Sequence, residues 1–471
     1  MKLETKILEL EKRLSEKEEL LEEFLDRLSK SFERIIELEK VVKDQASIIG
    51  SFQGQKGIFK NSQNSNFPPS KDKFRLNRRI SNREKSDKKS GGQKGHKGNT
   101  LEFRATPDEI IDRYPIHCLN CGSFLKEDFA VLHGSRQVID LPIIAPLVYQ
   151  YNTYKVKCNC GCTNQSVFPV DVNSSVQYGP RIRSVINYLS IRQYLPFERL
   201  SELLKDVMNV KLSEGTIANT IKRTAVKGKQ IYDSIHDKVE QSKAVGGDET
   251  GLFVNAKKKT LWVWQTKLYT YLKITDSRHA KHIKETFENG FINGILNSDQ
   301  YKAQLNTPAK GHQICWPHIF RRIKGLQEIQ DSIWLRRLRS VIDQAYQLYY
   351  EKGFFKRKSK RTKDIEEQLN RLLLQKLHHK THPEIGKLQA SLRRDRSCLL
   401  TFLYHEEVPP DNNASETAIR NAKVKMKISG GFKSLHQQYA IIRSIIDTAI
   451  KNNCNVLDTL DDLEMGRSLA F

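Results

Sequence analysis

Three short runs of residues between 244 and 274 constrain the fold of this chain most strongly. They cover residues 244–254, 260–266 and 268–274, and they are separated by short turns, of which 255–259 is the clearest. Runs of this kind, bounded by turns, are typical of β-strands. The sequence therefore predicts a three-stranded meander around which the other elements are arranged.

The segments after the meander alternate between helical and strand patterns. The sequence predicts a helix over 279–289, strands over 292–297 and 313–315, and then a helix that contains Arg321. Residues 329–404 are helical in pattern and strongly charged, so we interpret them as an all-α insertion. A helix that begins near Asn412 or Asn413 and another over 437–451 follow. The predicted fold class is α+β multidomain.

The N-terminal residues 1–48 contain apolar side chains at alternating steps of three and four, with Lys17 and Ser31 at the two skipped positions. This spacing predicts a coiled coil that joins copies of the chain into a homo-oligomer. A single helix folded onto the body is the alternative. The seam consists of Leu3, Ile7, Leu10, Leu14, Leu21, Phe24, Leu28, Ile35, Leu38 and Val42.

The charge of the chain indicates a polyanionic partner. Lys and Arg outnumber Asp and Glu by 79 to 55, so the formal net charge is +24, and nucleic acid is the first candidate. A membrane is disfavoured because no stretch of about 18 apolar residues occurs. The first residues lack the apolar core of a secretory signal, so we expect a cytoplasmic protein.

A basic linker over 49–105 is poor in apolar residues and rich in Ser, Asn, Gly and Lys, so it cannot form a core. Its cations could lie along DNA phosphates and release counterions, although a merely solvated tail would have the same composition. The candidate DNA-binding residues are Lys71, Arg75, Arg78, Arg79, Lys88, Lys89, Lys94 and Lys97.

Five cysteines are concentrated within residues 106–172. In a reducing cytosol such a cluster indicates metal ligands rather than disulfides, and four thiolates suffice for a structural Zn²⁺ site. Cys118 and Cys121 form the first pair. Cys158, Cys160 and Cys162 offer three candidates for the second pair, with Cys158 and Cys160 preferred and Cys162 as the alternative.

A helical region over 173–240 has the layout of a helix-turn-helix unit. Two amphipathic segments precede a turn at 212–217, where Ser213 is a plausible N-cap of a third helix. In such units the last helix enters the major groove, which makes Thr216, Lys222 and Arg223 candidate DNA contacts. A plain three-helix packing module is the alternative.

Two aspartates lie where strands could bring them together: Asp248 within the first predicted strand, and Asp299 directly after the fourth. With a carboxylate from a packed helix they could hold two Mg²⁺ ions about 3.5–4 Å apart, the arrangement that hydrolyses and transfers phosphodiesters. Periodicity alone does not select Asp248 over Glu249 or Asp276. The alternative is that each aspartate only closes a turn or caps a helix.

Seven motifs in one order resemble the DDE transposases of insertion-sequence family sixty-six. The most specific, at 410–420, resembles that family's glutamate motif and contains Glu416. The motifs are Asn/Ser-Pro-Pro-Ser-like residues 61–70, Gly-Gly-Gln-Lys-Gly-His-Lys-Gly at 91–98, residues 195–199 with 212–217, Asp-Glu-Thr at 248–250 followed by Leu-Trp-Val-Trp at 261–264, Ser-Asp-Gln-Tyr at 298–301, Cys-Trp-Pro-His at 315–318 with Arg321 and Arg322, and Pro-Asp-Asn-Asn-Ala-Ser-Glu-Thr-Ala-Ile-Arg at 410–420.

The resemblance implies a ribonuclease-H-like catalytic domain over 241–432, with the insertion at about 329–404 and a C-terminal helical segment over 433–471. It implies that Asp248, Asp299 and Glu416 hold two Mg²⁺ or Mn²⁺ ions, and that the N-terminal part binds transposon ends. His318 and Arg420 would support substrate or phosphate, with structural roles as the alternative. The chain departs from the family at Gln300, where a glycine or alanine is usual.

The resulting hypothesis is a bacterial, nucleoid-associated transposase that binds double-stranded DNA at terminal inverted repeats, cleaves it and joins it to a target, with accessory proteins as possible partners. A non-catalytic DNA-binding protein is one alternative. A metal-dependent nuclease without strand transfer is the other.

Overall fold

The computed structural model describes residues 2–55, 95, 101–351, 355, 360–469 and 471. The eight candidate DNA-binding cations of the linker, from Lys71 to Lys97, lie outside these residues. Helix α1 (Lys2–Gln55) matches the predicted N-terminal helix and extends beyond it. Its apolar side chains Leu21, Phe24 and Ile35 are exposed, so the body of this chain does not cover them. Pairing of α1 with a second copy stays a prediction.

The cysteine-containing region has little regular structure. Strands β1 (Lys155–Lys157) and β2 (Thr163–Gln165) form a small antiparallel hairpin. The strand expected over 147–156 is therefore present only at its end. Tyr154 is hydrogen-bonded to Ser166 next to this hairpin, whereas residues 147–153 have no strand partner among the described residues, and Leu147, Val148 and Tyr149 are exposed.

Four helices follow: α2 (Pro180–Asn187), α3 (Phe197–Met208), α4 (Glu214–Lys227) and α5 (Lys229–Glu240). The turn between α3 and α4 is the predicted one. The Ser213 hydroxyl accepts a hydrogen bond from the Thr216 backbone N–H at 3.2 Å, which confirms Ser213 as the N-cap of α4.

A mixed sheet of five strands forms the centre of the molecule. The meander is confirmed as β3 (Ala244–Val254), β4 (Lys257–Gln265) and β5 (Thr270–Thr275), which pair antiparallel. Two further strands, β6 (Phe291–Ser298) and β7 (Ala309–Ile314), run parallel to β3, and the order is β5-β4-β3-β6-β7. Strand β7 begins four residues before the predicted 313–315.

The remaining helices surround the sheet and form the insertion. Short helices α6 (Lys281–Thr286) and α7 (Lys302–Leu305) lie between strands, and α8 (Trp316–Ile329) follows β7. The all-α insertion contains α9 (Ile333–Tyr350), α10 (Lys360–Leu374) and α11 (Pro383–Arg394). These helices share a second apolar core with α8. The C-terminal helices are α12 (Asn413–Ser429), α13 (His436–Lys451) and α14 (Val456–Met465).

The main core joins regions that the sequence analysis set apart. Ile217 of α4, Trp262 of β4, Ile445 of α13 and Leu460 of α14 belong to one buried cluster. Residues 173–240 and 433–471 therefore pack with the sheet as one body rather than as separate domains, because each of these helices has an apolar face that only the sheet or its neighbours can cover.

Helix α13 covers the outer edge of β5. The Ser444 hydroxyl accepts from the Leu272 N–H at 2.9 Å and the Thr448 hydroxyl accepts from the Thr270 N–H at 3.1 Å. The Gln437 amide donates to the Ile274 carbonyl at 2.9 Å. Backbone groups that an edge strand would leave unpaired are thus satisfied by side chains.

In the described residues no helix has the length and hydropathy to cross a membrane.

A buried ion pair lies on the inner side of α13. Arg443 NH2 is 2.7 Å from Asp447 Oδ1, and their side chains are 0% and 9% exposed. Arg443 also donates to the Tyr194 hydroxyl at 3.1 Å, which links α13 to the loop before α3. Removing one partner of such a pair leaves an uncompensated buried charge.

We expect Asp447→Ala to lower the free energy of unfolding by about 3–5 kcal/mol, because Arg443 stays buried without its carboxylate. The matched control is Asp343→Ala, which removes the partner of half-exposed Arg339 (Nε–Oδ2, 2.8 Å) and should cost less than about 1 kcal/mol. Denaturant unfolding followed by tryptophan fluorescence measures both. Equal losses in the two variants would contradict the assignment.

Candidate active site

The strand register places Asp248 and Asp299 at the same level. Strand β3 runs parallel to β6 with Gly246 opposite Asn297, and the two aspartates each follow these residues by two positions. Adjacent strands lie about 4.7–4.9 Å apart, and a step of two residues returns to the same face of the sheet. The register therefore brings both carboxylates to one end of the sheet.

Glu416 lies near the same position, in the first turn of α12. The proximity is visible in the electrostatics of Asp248. Burial raises the pKa of Asp248 well above its usual value, and the carboxylates of Glu249, Asp299 and Glu416 raise it further. Within the described residues Asp248 has no cationic partner, and its carboxylate accepts a hydrogen bond from the Glu249 N–H at 2.8 Å. The cleft thus concentrates negative charge that its own cations do not neutralise.

Two asparagines hold the glutamate-bearing helix against the sheet. Asn412 Nδ2 donates to the Gly247 carbonyl of β3 at 2.8 Å, and the Ser415 hydroxyl donates to Asn412 Oδ1 at 2.6 Å. Asn297 of β6 donates to the carbonyls of Pro409 and Asp411 at 2.7 and 2.8 Å. Residues that neighbour the three acids in the sequence are thus hydrogen-bonded to one another, and these bonds fix the positions of the acids relative to each other.

Gly246 makes this close approach possible. A Cβ atom at this position would lie 2.5 Å from Asn412 Oδ1, 2.6 Å from Gln265 Nε2 and 2.7 Å from Ser415 Oγ. These distances are shorter than van der Waals contact, so only glycine allows α12 to lie this near to β3.

Three basic side chains surround Glu416. His318 Nε2 and Arg321 NH2 are 3.7 and 3.5 Å from Glu416 Oε1, and Arg420 NH2 is 3.6 Å from Oε2. Burial, together with the Arg321 charge, lowers the pKa of His318 to about 4, so His318 is neutral at physiological pH. The cations at Glu416 are therefore the two arginines.

Glu249 is a fourth acid of the cleft, which sequence periodicity could not distinguish from its neighbour. Its side chain is 3% exposed, and burial and the Asp299 charge raise its pKa to about 7. It forms an ion pair with Arg278 and lies 3.4 Å from Gln304 Nε2. Alternation along β3 directs Asp248 and Glu249 to opposite faces of the sheet, but the sequence does not show which of these faces meets α12.

The three carboxylates are not clustered tightly enough for one ion. Among the described residues, the group of three or more ligand atoms within 4.8 Å of one another is His236, Asp237 and Glu240. Asp248, Asp299 and Glu416 do not meet that limit.

Gln300, the departure from the family pattern, connects the site loop to the insertion. Its amide Nε2 lies 3.1 Å from Asp395 Oδ2 and 3.2 Å from Ser391 Oγ, while Arg322 donates to its Oε1 at 2.7 Å. A glycine or alanine could form none of these bonds. The substitution thus attaches the loop after Asp299 to α8 and to the end of α11.

The cysteines form two separate turns. The Gly122 N–H donates to the Cys118 carbonyl and the Gly161 N–H donates to the Cys158 carbonyl, each at 2.8–2.9 Å. Hydrogen bonds from Ser123 and Cys118 lower the pKa of Cys121 to about 7, which favours the thiolate. In the described residues the structure does not bring three cysteine sulfurs within 4.8 Å of one another, so the two turns do not meet.

The predicted contacts of the helix-turn-helix unit have different environments. Lys222 and Arg223 are exposed on α4, whereas Thr216 is half-buried and takes part in the N-cap with Ser213. The opposite face of α4, with Ile217 and Ile221, belongs to the main core. The outer face of α4 is thus basic and free of core contacts.

A profile of the Transposase IS66 family matches residues 175–438, more than half of the chain. The chain belongs to this transposase family. A second match, over residues 53–102, is to a family of unknown function. A search of curated proteins found no match. The first match includes β3 and α12, which contain Asp248 and Glu416, and it includes Asp299, which follows β6 directly.

We expect Gly246→Ala to push α12 away from β3 and so displace Glu416. The unfolding free energy should fall by about 1–3 kcal/mol, and transposition frequency in cells should fall about 100-fold, because small misplacements at a reacting centre are costly. The control is Gly251→Ala on the same strand, where the nearest atom to the new Cβ is Lys258 Cε at 3.5 Å. A Gly246→Ala protein as active as the control would show that this contact does not position Glu416.

Proposed function

We propose that this transposase binds the terminal inverted repeats of an insertion sequence and catalyses metal-dependent DNA cleavage and strand transfer, with Asp248, Asp299 and Glu416 as its acidic triad. The carrying observation is the register of β3 and β6, which sets two aspartates side by side while Asn412 anchors the glutamate helix on the same strands. The family supplies the substrate class, DNA.

A ribonuclease-H-like core is the fold we infer for residues 241–432. Its support is the mixed sheet, in which an antiparallel meander is extended by two parallel strands on the side of β3, with helices packed around it. The insertion over α9–α11 enters between Asp299 and Glu416, as the resemblance implies.

The acidic cleft fits two Mg²⁺ or Mn²⁺ ions by the chemistry of its donors. Carboxylate oxygens are the ligands that such hard cations need, and Asp248 lacks a cationic partner in the described part of the chain although burial disfavours its charge. Asp248, Asp299 and Glu416 would hold the two ions. Bound ions of this kind activate the attacking oxygen and stabilise the departing 3′ oxygen.

The chain's own residues position these groups and the DNA. Arg321 and the neutral His318 restrain the Glu416 carboxylate from the side of α8. On the outer face of α12, Arg420, Lys423 and Lys427 follow Glu416 at steps of three and four, so they form a basic stripe on one side of the helix. From Arg420 to Lys427 this stripe is about 10 Å long, and a DNA strand has one phosphate per about 3.4 Å.

Recognition of the transposon ends is assigned to the N-terminal half. The exposed Lys222 and Arg223 would face the major groove if α4 acts as the recognition helix, and the linker cations from Lys71 to Lys97 would bind phosphates. The exposed apolar seam of α1 would pair copies of the chain. Accessory transposition proteins are further possible partners of such an assembly.

A structural Zn²⁺ ion would bring the two cysteine turns together. Each turn presents thiols beside backbone N–H groups, and Cys121 has a lowered pKa. Binding needs thiolates and couples metal affinity to folding of the site. This region exposes much apolar surface, including Phe103, Ile110 and Val138, so a metal ion would supply the stability that its core does not.

Two alternatives retain DNA binding. A non-catalytic end-binding protein would need no acids in the cleft, and it leaves unexplained why three of the four acids, Asp248, Glu249 and Asp299, have raised pKa values that disfavour their charged forms. A nuclease without strand transfer would use the same triad. The joining of DNA ends to a target separates the proposed function from both.

We expect the full chain with Mg²⁺ to join DNA ends that carry the repeats flanking its gene to a target duplex, and Asp248→Ala, Asp299→Ala and Glu416→Gln each to lower the joining rate at least 100-fold, since each removes a metal ligand. The control is Asp276→Ala, an exposed aspartate paired with Lys259 (2.8 Å) at the end of β5, which should join at the wild-type rate.

Cleavage without joining by the wild type would favour the nuclease, and binding alone would favour the non-catalytic protein. Joining that persists in Asp248→Ala or Glu416→Gln would refute the triad.

For the cysteine module we expect one Zn²⁺ per purified chain by elemental analysis, and loss of that ion in Cys118→Ser and Cys121→Ser. Comparison of Cys158→Ser, Cys160→Ser and Cys162→Ser then identifies the second pair, because only the unused thiol can be replaced without loss of zinc. Cys454→Ser, outside the module, is the control. Zinc retained in Cys118→Ser would argue against this site.

A further inference from the structure

Arg278, in the turn between β5 and α6, is held by two groups of the acidic cleft. Its guanidinium forms an ion pair with the buried Glu249 carboxylate on one side. On the other side it lies 3.8 Å from the centre of the Tyr301 ring. A carboxylate and a ring face together fix both the position and the plane of a guanidinium.

Both holding groups are attached directly to the catalytic acids. Glu249 follows Asp248 in β3. The Tyr301 backbone N–H donates to Asp299 Oδ1 at 2.9 Å, and the Tyr301 hydroxyl donates to the Arg278 carbonyl at 2.5 Å. A shift of either aspartate would therefore move a group that restrains Arg278, so the arginine keeps its place relative to the acids.

The charge of Arg278 acts on the catalytic centre as well as on Glu249. It lowers the pKa of Asp299, although burial raises that pKa more. The arginine is thus close to an acid that we assign to a metal ion. It is the cation on the Asp299 side of the cleft, opposite Arg321 and Arg420, which lie beside Glu416.

The exposure of the pair is asymmetric. The Glu249 side chain is 3% exposed, whereas that of Arg278 is 53% exposed. A guanidinium has five N–H donors, and within the described residues one nitrogen, NH2, bonds to Glu249. Donors therefore remain available toward solvent beside Asp299. A half-exposed ion pair adds little stability, so stability alone does not account for burying Glu249 among other carboxylates.

We propose that Arg278 binds a phosphate oxygen of the DNA strand that lies across Asp248 and Asp299, with Glu249 and Tyr301 as the residues that position it. This inference rests on the proposed transposase function. The proposal gives the cleft a cation that contacts the DNA, whose phosphates the acids alone would repel. The planar fork of arginine matches the geometry of a phosphate, which a lysine ammonium does not.

The test measures binding of the full chain to a repeat-end duplex at several salt concentrations, with Ca²⁺ in place of Mg²⁺. Each phosphate contact contributes about 0.9 to the slope of log K against log salt concentration. Arg278→Ala should reduce that slope by about 0.9. Arg371→Ala, which removes an exposed arginine of α10 paired with Glu367, should leave it unchanged. An unchanged slope in Arg278→Ala overturns the proposal.

Arg278→Lys provides the second measurement, for the case in which the alanine variant does not fold. It keeps the charge but loses the fork and the stacking on Tyr301, so joining should slow at least tenfold while the melting temperature and the salt slope stay near those of the wild type. Wild-type joining by Arg278→Lys overturns the proposal. If the wild type itself joins no ends, the proposed function fails, and the salt slope still reports on Arg278.

Discussion

The contact of α12 with the sheet is the constraint on which the candidate site depends. Glu416 lies more than a hundred residues after Asp299, and a complete helical insertion separates them. Its position relative to the aspartates is set by side-chain amides that bond to backbone carbonyls: Asn412 to Gly247, and Asn297 to Pro409 and Asp411. These bonds attach the start of α12 to β3 and β6, so the strands hold the glutamate in place.

Acids and cations in the same cleft have opposing electrostatic effects. Burial and mutual repulsion disfavour the charged forms of Asp248 and Glu249, while cations stand at its two ends, Arg278 on one side and Arg321 with Arg420 on the other. The arrangement concentrates negative charge in the middle and positive charge at the margins. Divalent ions would occupy the middle, and a polyanionic strand would be attracted to the margins.

The sequence predicted the local elements well because their signals are local. The meander, the Ser213 cap and the helix of Glu416 each follow from nearby residues. It did not predict that α2–α5 and α13–α14 share one core with the sheet, since an amphipathic face does not reveal its partner. Nor could it select Asp248 over Glu249, because the difference lies in what each face of β3 meets: the Asn412 side in one case, and Arg278 with Gln304 in the other. The order of the motifs, and not their periodicity, selected these acids as candidates.

The covering of β5 by α13 limits how copies of this protein can associate. The Thr270 and Leu272 amides are already bonded to Thr448 and Ser444, and at the opposite margin the Thr401 hydroxyl donates to the His312 carbonyl of β7 at 2.6 Å. Within the described residues these bonds occupy two amides on the outer edge of β5 and one carbonyl on the outer edge of β7, which disfavours the addition of a further strand at either edge. If copies of the chain assemble at transposon ends, as we propose, helical surfaces and the nucleic acid are therefore the expected contacts between them.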